Sequence, residues 1–209
     1  MLEQRTDAWH QIRLGRVTAS KVADVLATTR SGPAASRDNY KAELVAERLT
    51  GTPTAGFVNS AMMRGTELEP LARDCYAFLT GNTVVEEAFV HHPRIDMAGC
   101  SPDGLIGDDG LVEIKCVGTA KHIALLKGAK PEDRYIKQVL WQMACTGRQW
   151  ADLAYYDDRL PVEMQMHVVR IDRDDAAIAD MEAKVEAFLE EVNADVLSLT
   201  NLYLTKEAA

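Results

Sequence analysis

Two acidic residues and a lysine near the middle of the chain have the types and spacing that suit metal-dependent hydrolysis. Asp103 follows Pro102, and Glu113 stands two residues before Lys115. Because side chains alternate along a β-strand, Glu113 and Lys115 are expected to point to the same face. Two carboxylates beside a cation can hold a divalent metal ion and activate a water molecule. This is the chemistry of phosphodiester cleavage.

A turn between these residues predicts that they meet. The segment Gly107-Asp108-Asp109-Gly110 separates two apolar runs and predicts a β-hairpin, with Asp103 on the strand beside Glu113. A second interpretation stays open, because acid-x-lysine pairs are common on solvated sheet faces, where they form weak ion pairs. Short motifs also match by chance, so this pair does not decide the function alone.

The order of the other elements predicts an α/β (α+β) fold. Helical patterns come first, then a group of strands, a helix, two strands and a last helix, which is typical of a mixed central β-sheet flanked by helices. Strands are expected over residues 83–90 and as a hairpin pair over 97–117. We expect Ser36 to cap a helix that ends at Gly51, and Pro70 to kink or divide a helix over residues 60–79. The last helix carries an apolar stripe that predicts a core-facing side: Ile178, Met181, Val185, Phe188, Leu189 and Val192.

Length and charge limit the class of protein. The 209 residues predict a single domain over residues 1–209. The net charge of −9 disfavours a protein that coats DNA, but it allows an enzyme with a local basic groove. Basic residues recur early and acidic ones gather near the C-terminus; a DNA-binding face and ordinary solvated faces explain this equally well.

The sequence also predicts a location. No apolar run approaches the ~20 residues of a membrane span, and the N-terminus lacks the apolar core of a signal peptide. We therefore expect a cytoplasmic location and no membrane partner.

The order Glu69, Asp103, Glu113, Lys115 and Gln138 resembles the nuclease superfamily built around a proline–aspartate pair and an acid-x-lysine motif, which has a restriction-endonuclease-like core. Within it, the chain resembles the phage lambda exonuclease type, also called the YqaJ-like viral recombinase family. The matching stretches occur in the same order along most of the chain, at residues 7–15, 17–20, 30–32, 100–105, 113–116 and 155–159.

This resemblance implies roles for the central residues. Asp103, Glu113 and the Ile114 carbonyl would ligate Mg²⁺, for which Mn²⁺ substitutes. Lys115 would orient the attacking water and stabilise charge at the scissile phosphate; neighbouring carboxylates raise a lysine pKa, so we expect positioning rather than general-base action. Glu69 would support the ligands or hold a second metal ion. Gln138 would hold the attacking water or the Lys115 amine.

The resemblance also implies DNA contacts. Arg13, Ser20 and Arg30 match positions that bind the 5′-phosphate of the degraded strand, although isolated surface arginines usually contact only water. Met62 matches an apolar wedge that splits the terminal base pair, but core packing is an equal alternative. Arg64 stands where an aromatic residue is expected, which is a departure from the family pattern.

Together these features predict a Mg²⁺-dependent 5′→3′ exonuclease that degrades one strand of linear double-stranded DNA. It would release 5′-mononucleotides and leave a 3′ single-stranded tail. The resemblance implies a homotrimer ring around the DNA, a single-strand annealing recombinase as partner, and phage-type recombination in a bacterial host or from a prophage. Two alternatives stay open: an endonuclease of the same superfamily, and an inactive DNA-binding recombination accessory module.

Overall fold

A computed structural model of the chain describes residues 3–30, 32–54 and 59–204. Ser31, in the matching stretch 30–32, lies outside the described residues. The chain divides into two compact units. The first comprises Met1–Ala55, Ala88–Ser101 and Asp175–Ala209, and the second comprises Gly56–Glu87 and Pro102–Asp174. The expectation of one domain stays a prediction.

The first unit contains four described helices and short strands. The helices are α1 (Asp7–Arg13), α2 (Val22–Val25), α3 (Ala35–Thr50) and α7 (Asp175–Tyr203). A 3₁₀ turn, Ala19–Lys21, leads into α2. The strands are β1 (Val17–Thr18), β2 (Thr28–Thr29), β3 (Gly32–Pro33), β5 (Val90–His91) and β6 (Ala98–Cys100). The central strand β6 pairs in parallel with β1 and antiparallel with β5, while β2 and β3 form a separate hairpin.

Packing of α3 on α7 forms the core of the first unit. The Tyr40 ring of α3 stacks on the Phe188 ring of α7, with centroids 5.9 Å apart. The predicted stripe of α7 is buried along its whole length, which confirms the core-facing side. Burial of this continuous apolar stripe, rather than local propensity, stabilises so long a helix.

The second unit is built on a five-stranded mixed sheet. Its strands are β4 (Val84–Val85), β7 (Gly104–Ile106), β8 (Gly110–Cys116), β9 (Trp150–Tyr156) and β10 (Met166–Asp172), in the order β10-β9-β8-β7-β4. Only the β8–β9 pair is parallel among the described strands of this sheet. Around it stand α4 (Ser60–Thr80), α5 (Thr119–Leu126) and α6 (Asp133–Thr146). The predicted mixed sheet flanked by helices is confirmed.

The predicted hairpin over 97–117 is only half right. Its second half exists, because β7 and β8 pair antiparallel around Gly107, whose φ of +48° suits glycine in a tight turn. Its first half, β6, instead pairs with β1 and β5 in the other sheet. The strand expected over 83–90 likewise divides into β4 and β5, which belong to different sheets.

The predicted N-cap of α3 was wrong, and of the two possibilities for Pro70 a divided helix is excluded, while a kink stays a prediction. Ala34, not Ser36, is the N-cap of α3, and it makes no side-chain capping bond. The α4 helix runs unbroken from Ser60 to Thr80 through Pro70, so proline costs it a backbone hydrogen bond without ending it. Packing of α4 against β8 offsets this local cost. No described helix has the length and apolar character needed to cross a membrane.

Candidate active site

The β7–β8 hairpin positions the first carboxylate. Asp103 immediately precedes β7 rather than lying on it, and its side chain is buried. Its Oδ2 atom accepts a hydrogen bond of 2.7 Å from the backbone N–H of Ile114 on β8. The Asp103 side chain is thereby fixed to the strand that carries Glu113 and Lys115.

Glu113 is the best-connected side chain of the site. It is only 3% exposed, so its carboxylate depends on protein donors. Its Oε1 accepts from Lys115 Nζ at 2.7 Å and from Gln138 Nε2 at 2.6 Å. Its Oε2 accepts from Gln142 Nε2 at 2.6 Å. Gln138 and Gln142 are one turn apart on α6, so a single helix face supplies both amides.

Lys115 is held by three neighbours. Besides Glu113, its Nζ donates to Gln138 Oε1 at 3.0 Å and lies 4.8 Å from the centre of the Tyr135 ring. Burial alone would lower the pKa of Lys115, but the charges of Glu113 and Asp103 outweigh it and raise that pKa. Lys115 is therefore a fixed cation and hydrogen-bond donor at neutral pH.

Burial and charge act in the same direction on the pKa of Asp103, unlike that of Lys115. Burial raises its pKa well above the ordinary value, and the negative charges of Glu113 and Glu69 raise it further. The cation of Lys115 and the Ile114 N–H act against this rise without cancelling it. The ionised form of Asp103 is therefore disfavoured in this site, first by burial and then by the neighbouring acids.

Glu69 comes from the third element of the site, α4. Its side chain is buried, and its Oε1 accepts from Arg73 NH2, one turn further along the helix, at 3.0 Å. Arg73 also contacts Glu86 at 2.5 Å. The helical Gly-x-x-x-Glu pattern thus places one carboxylate near Asp103 and couples it to an arginine that the sequence reasoning did not single out.

A cavity of about 580 Å³ opens onto this group of residues. It is lined by residues of α4, β8 and the start of α6: Asn59, Ala61, Met62, Gly65, Thr66, Glu69, Ile114, Lys115, Cys116, Arg134 and Tyr135. Met62 is 53% exposed at its edge, which excludes the core-packing alternative for that residue. Arg134 and Tyr135 belong to no recognisable sequence motif, so their place in the cavity wall becomes apparent only from the position of α6 beside β8.

Arg64 has a structural role within the second unit. Its guanidinium contacts Asp158 and lies 3.6 Å from Asp157, two acids that follow β9. Asp157 is buried and also accepts from Thr119 at 2.6 Å and from Arg159 at 2.6 Å. The arginine that replaces the expected aromatic residue therefore belongs to an ion-pair cluster that joins α4 to the end of β9.

Two of the three expected phosphate-binding residues share a cavity in the first unit. Arg13 and Ser20 line a space of about 130 Å³ together with Arg16, Thr18, Lys21, Tyr40, Glu43, Leu44 and Glu47. Arg30 is not among the described residues that line it, and lies exposed at the turn between β2 and β3. Ser20 is exposed on the 3₁₀ turn that leads into α2.

Comparisons with known proteins identify the family. The model of the YqaJ-like viral recombinase domain matches residues 8–149. The chain belongs to this family. No protein among the curated sequences compared matches the chain.

Solved structures agree with this membership. The crystal structure of an alkaline exonuclease from Laribacter hongkongensis is 54% identical in sequence, with a TM-score of 0.87 over 94% of this chain and 97% of that chain. The same enzyme in complex with dAMP gives the same values. A phage-related exonuclease from Haemophilus somnus 129PT is 14% identical and has a TM-score of 0.69 over 91% of this chain and 99% of that one, which shows a shared fold. The predicted restriction-endonuclease-like fold is confirmed.

The donor set of this YqaJ-like site fits Mg²⁺. Asp103 and Glu113 offer carboxylate oxygens, and Ile114, which follows Glu113 in the chain, offers a backbone carbonyl. In the part of the chain that the structure describes, no cluster of three or more His, Cys, Asp or Glu side chains surrounds a common point. Mg²⁺ suits such a site, because it keeps several waters and commonly uses only one or two carboxylates. A bound divalent cation would favour the ionised form of Asp103, which burial and the neighbouring acids disfavour.

Proposed function

We propose that this chain is a Mg²⁺-dependent 5′→3′ exonuclease that degrades one strand of linear double-stranded DNA to 5′-mononucleotides and leaves a 3′ single-stranded tail. The observation that carries the proposal is the hydrogen-bonded group of Glu113, Lys115 and Gln138, next to the buried Asp103 and open to a large cavity. A carboxylate, a cation and an amide fixed against one another are the groups that phosphodiester hydrolysis needs.

The contacts of each side chain support the role that we assign to it. Asp103, Glu113 and the Ile114 carbonyl would hold Mg²⁺, which on binding acidifies a water ligand and screens phosphate charge. Lys115 is a protonated donor, so it would orient the attacking water and stabilise charge on the phosphate. Gln138 contacts both Lys115 and Glu113, so it would fix the direction of the amine.

The remaining residues would act on the substrate strand or support the ligands. Glu69, fixed by Arg73, would support the ligand set or contribute to a second metal site. Met62 is exposed at the edge of the cavity, where its apolar side chain is available to separate the terminal base pair. Arg13, Ser20 and Arg30 would bind the terminal 5′-phosphate, with Arg13 and Ser20 in one cavity.

The relatives support this activity. A chain that is 54% identical over nearly its full length is an alkaline exonuclease, and its complex contains dAMP, a mononucleotide of the kind such an enzyme releases. We further propose a homotrimer ring around the DNA and a single-strand annealing recombinase that loads on the 3′ tail, within the cytoplasm of a bacterial host. A ring reconciles a net charge of −9 with DNA binding, because the channel can be basic while the outer face is acidic.

The deciding experiment is digestion with Mg²⁺ of linear duplex DNA labelled separately at its 5′ and 3′ ends, beside a closed circle. We expect early release of mononucleotide from the 5′ label and an intact circle. Cutting of the circle would establish the endonuclease alternative instead. Release from the 3′ label first would reverse the proposed polarity.

The inactive accessory module is tested by Lys115→Ala. If the chain is a nuclease, this variant is expected to lose cleavage by about 10³-fold or more while it still binds duplex DNA. Absence of cleavage by the unmodified chain with both Mg²⁺ and Mn²⁺ would favour the module.

A further inference from the structure

Two neighbouring methionines are exposed in the first turn of α4. Asn59 caps this turn, since its Oδ1 atom accepts a hydrogen bond of 2.9 Å from the backbone N–H of Met62. The side chains beyond this fixed backbone reach solvent: Met62 is 53% exposed and Met63 is 55% exposed. Among the methionines that the structure describes, Met164 is the third that is exposed, at 50%. All three thioethers are therefore accessible to dissolved oxidants.

These three methionines differ in the surface to which they belong. Met62 lines the active-site cavity of about 580 Å³, into which Lys115 also projects. Met62 and Met63 together line an adjoining cavity of about 350 Å³. Neither Met63 nor Met164 is among the described residues that line the active-site cavity, and Met164 ends the 3₁₀ turn Val162–Met164 after β9. At nearly equal exposure, a chemical change at Met62 alters the wall of the active-site cavity, whereas a change at the other two does not.

Oxidation of the Met62 thioether would make this part of the wall polar. In the reaction with hydrogen peroxide, an electron pair of the sulfur attacks one peroxide oxygen, so that an S–O bond forms and the O–O bond breaks. The proton of the transferred hydroxyl joins the departing hydroxide, and water leaves. The sulfur is oxidised by two electrons and the peroxide is reduced by two. The product, a sulfoxide, is polar and chiral where the thioether is apolar.

The thiol that lines the same cavity is a poor competitor for the oxidant. Burial raises the pKa of Cys116 to about 11, and the charge of Glu69 acts in the same direction. Peroxides react with the thiolate form of cysteine, which is scarce at neutral pH when the pKa is so high. Met62 is thus the more accessible of the two sulfur atoms and needs no deprotonation before it reacts.

We propose that Met62 is a site of reversible oxidation by peroxides, at which one added oxygen atom suppresses the degradation of paired DNA ends. This inference rests on the proposed separation of the terminal base pair by Met62. An apolar side chain inserted at a base step offsets part of the cost of unstacking. A sulfoxide would have to lose its hydration to enter the same place, which makes insertion unfavourable.

The test treats the unmodified chain, Met62→Leu, Met63→Leu and Met164→Leu with hydrogen peroxide and compares each with its own untreated sample. Peptide mass spectrometry measures the oxidation of each methionine, and release of the 5′ label measures degradation of duplexes with paired or unpaired terminal bases. We expect the unmodified chain, Met63→Leu and Met164→Leu to lose about 5- to 20-fold in rate on paired ends, because a polar group must be desolvated there. The loss on unpaired ends should be far smaller. Met62→Leu should keep the rate of its untreated sample.

Reduction identifies the sulfur that is responsible. Methionine sulfoxide reductases that act on both epimers should restore the rate of the treated chain, whereas dithiothreitol alone should not. Recovery with dithiothreitol alone would assign the loss to a thiol and overturn the inference. An equal loss in Met62→Leu, or full activity of a chain oxidised at Met62, would overturn it as well.

A variant that needs no oxidant separates this inference from the proposed function. If Met62 separates the terminal base pair, untreated Met62→Ala should be slowed more on paired ends than on unpaired ends. If it is slowed equally on both, the proposed separation fails and the inference falls with it. If it behaves as expected but Met62 resists peroxide under conditions that oxidise Met63 and Met164, only the oxidation site is wrong.

Discussion

Gln142 donates from its Nε2 atom to Glu113 Oε2 at 2.6 Å, on the oxygen opposite the one that Lys115 and Gln138 contact. Gln142 is completely buried, so water cannot take its place. Both carboxylate oxygens of Glu113 are thereby oriented before any ligand binds. Loss of a group that orients a metal-binding side chain typically lowers metal affinity or activity by about 10- to 100-fold.

Replacement of this amide should therefore weaken metal use. Gln142→Leu is expected to lower activity at limiting Mg²⁺ by about 10- to 100-fold and to shift the Mg²⁺ dependence to higher concentration. The measurement is the cleavage rate against Mg²⁺ concentration. Gln149→Leu, an exposed glutamine just after α6, should leave the curve unchanged. An unaltered curve for Gln142→Leu would contradict the role assigned to that residue.

The sequence predicted this site better than it predicted the sheets. The turn at Gly107 and the period-two spacing of Glu113 and Lys115 are local signals, and the structure contains both features. The placement of Gln138 came from family resemblance, and helical spacing then put Gln142 on the same face. By contrast, the pairing of β6 with β1 joins Ala98 to Val17 across most of the first half of the chain, and no local pattern encodes such a partner.

Two other differences have physical reasons of the same kind. Pro70 breaks helices in isolation, but packing of α4 on β8 outweighs the lost hydrogen bond. The strand expected over residues 83–90 divides because β4 pairs with β7 and β5 pairs with β6, partners that belong to different sheets. Tertiary contacts decided both cases, and a single sequence does not contain them in readable form.

The raised pKa of Asp103 predicts that its carboxylate lowers the stability of the folded chain at neutral pH, although cleavage depends on it. Burial and the charges of Glu113 and Glu69 disfavour its carboxylate, so the folded chain holds this proton more tightly than the unfolded chain does. Stability should therefore fall as pH rises from the ordinary pKa of an aspartate through the raised one. Asp103→Asn removes the penalty and should raise the free energy of unfolding at neutral pH by about 1 kcal/mol without metal, while it abolishes cleavage. Asp108→Asn, in the exposed turn of the same hairpin, is the control for denaturant unfolding.

Addition of Mg²⁺ should stabilise the folded chain, because a bound cation offsets the repulsion of the Asp103 carboxylate by Glu113 and Glu69. A tenfold excess over its dissociation constant stabilises by about 1.4 kcal/mol, or roughly 3–5 °C in Tm for a chain of this size. We expect this shift in the unmodified chain, its reversal by EDTA, and its absence in Asp103→Asn. An equal shift in both proteins would place the bound ion elsewhere.

Asp157 should stabilise the second unit far more than its neighbour Asp158. Burial alone would raise the pKa of Asp157, but hydrogen bonds from Arg159 and Thr119 outweigh it and hold the pKa at about 2. The stabilisation is therefore complete above the ordinary pKa of an aspartate and is lost as pH falls toward 2. Asp157→Ala should cost about 2–4 kcal/mol at pH 7, because buried donors lose their acceptor.

Asp158 provides the matched comparison in urea unfolding at pH 7. It pairs with the same Arg64 but is partly exposed, so Asp158→Ala should cost about 1 kcal/mol or less. The difference between the two variants should shrink as pH approaches 3. If Asp157→Ala and Asp158→Ala lowered the free energy of unfolding equally at pH 7, burial of Asp157 and of its hydrogen bonds would add nothing to stability.

Close contact between Gly110 and Trp150 sets the start of the strand that carries Glu113. The two residues are partners in the parallel β8–β9 pair, and a Cβ atom on Gly110 would lie 2.1 Å from the Trp150 ring. The Arg170 guanidinium lies 3.6 Å from the centre of that ring, which leaves the indole little room to move. Gly110→Ala is thus expected to lower the free energy of unfolding by about 1–3 kcal/mol.

The same change should reach the active site, because a shifted β8 displaces Glu113 relative to Gln138 and Gln142. We expect the cleavage rate to fall by about tenfold even at temperatures where the variant is fully folded, since small displacements of catalytic groups are costly. Gly118→Ala is the control for the clash: its Cβ would meet nothing within 4 Å, so only the poorer N-cap of α5 should lower stability, by about 0.5–1 kcal/mol, and the cleavage rate should stay unchanged. Thermal unfolding and cleavage of end-labelled duplex measure the two effects separately. Full activity in a destabilised Gly110→Ala would show that the register of β8 tolerates displacement at its start.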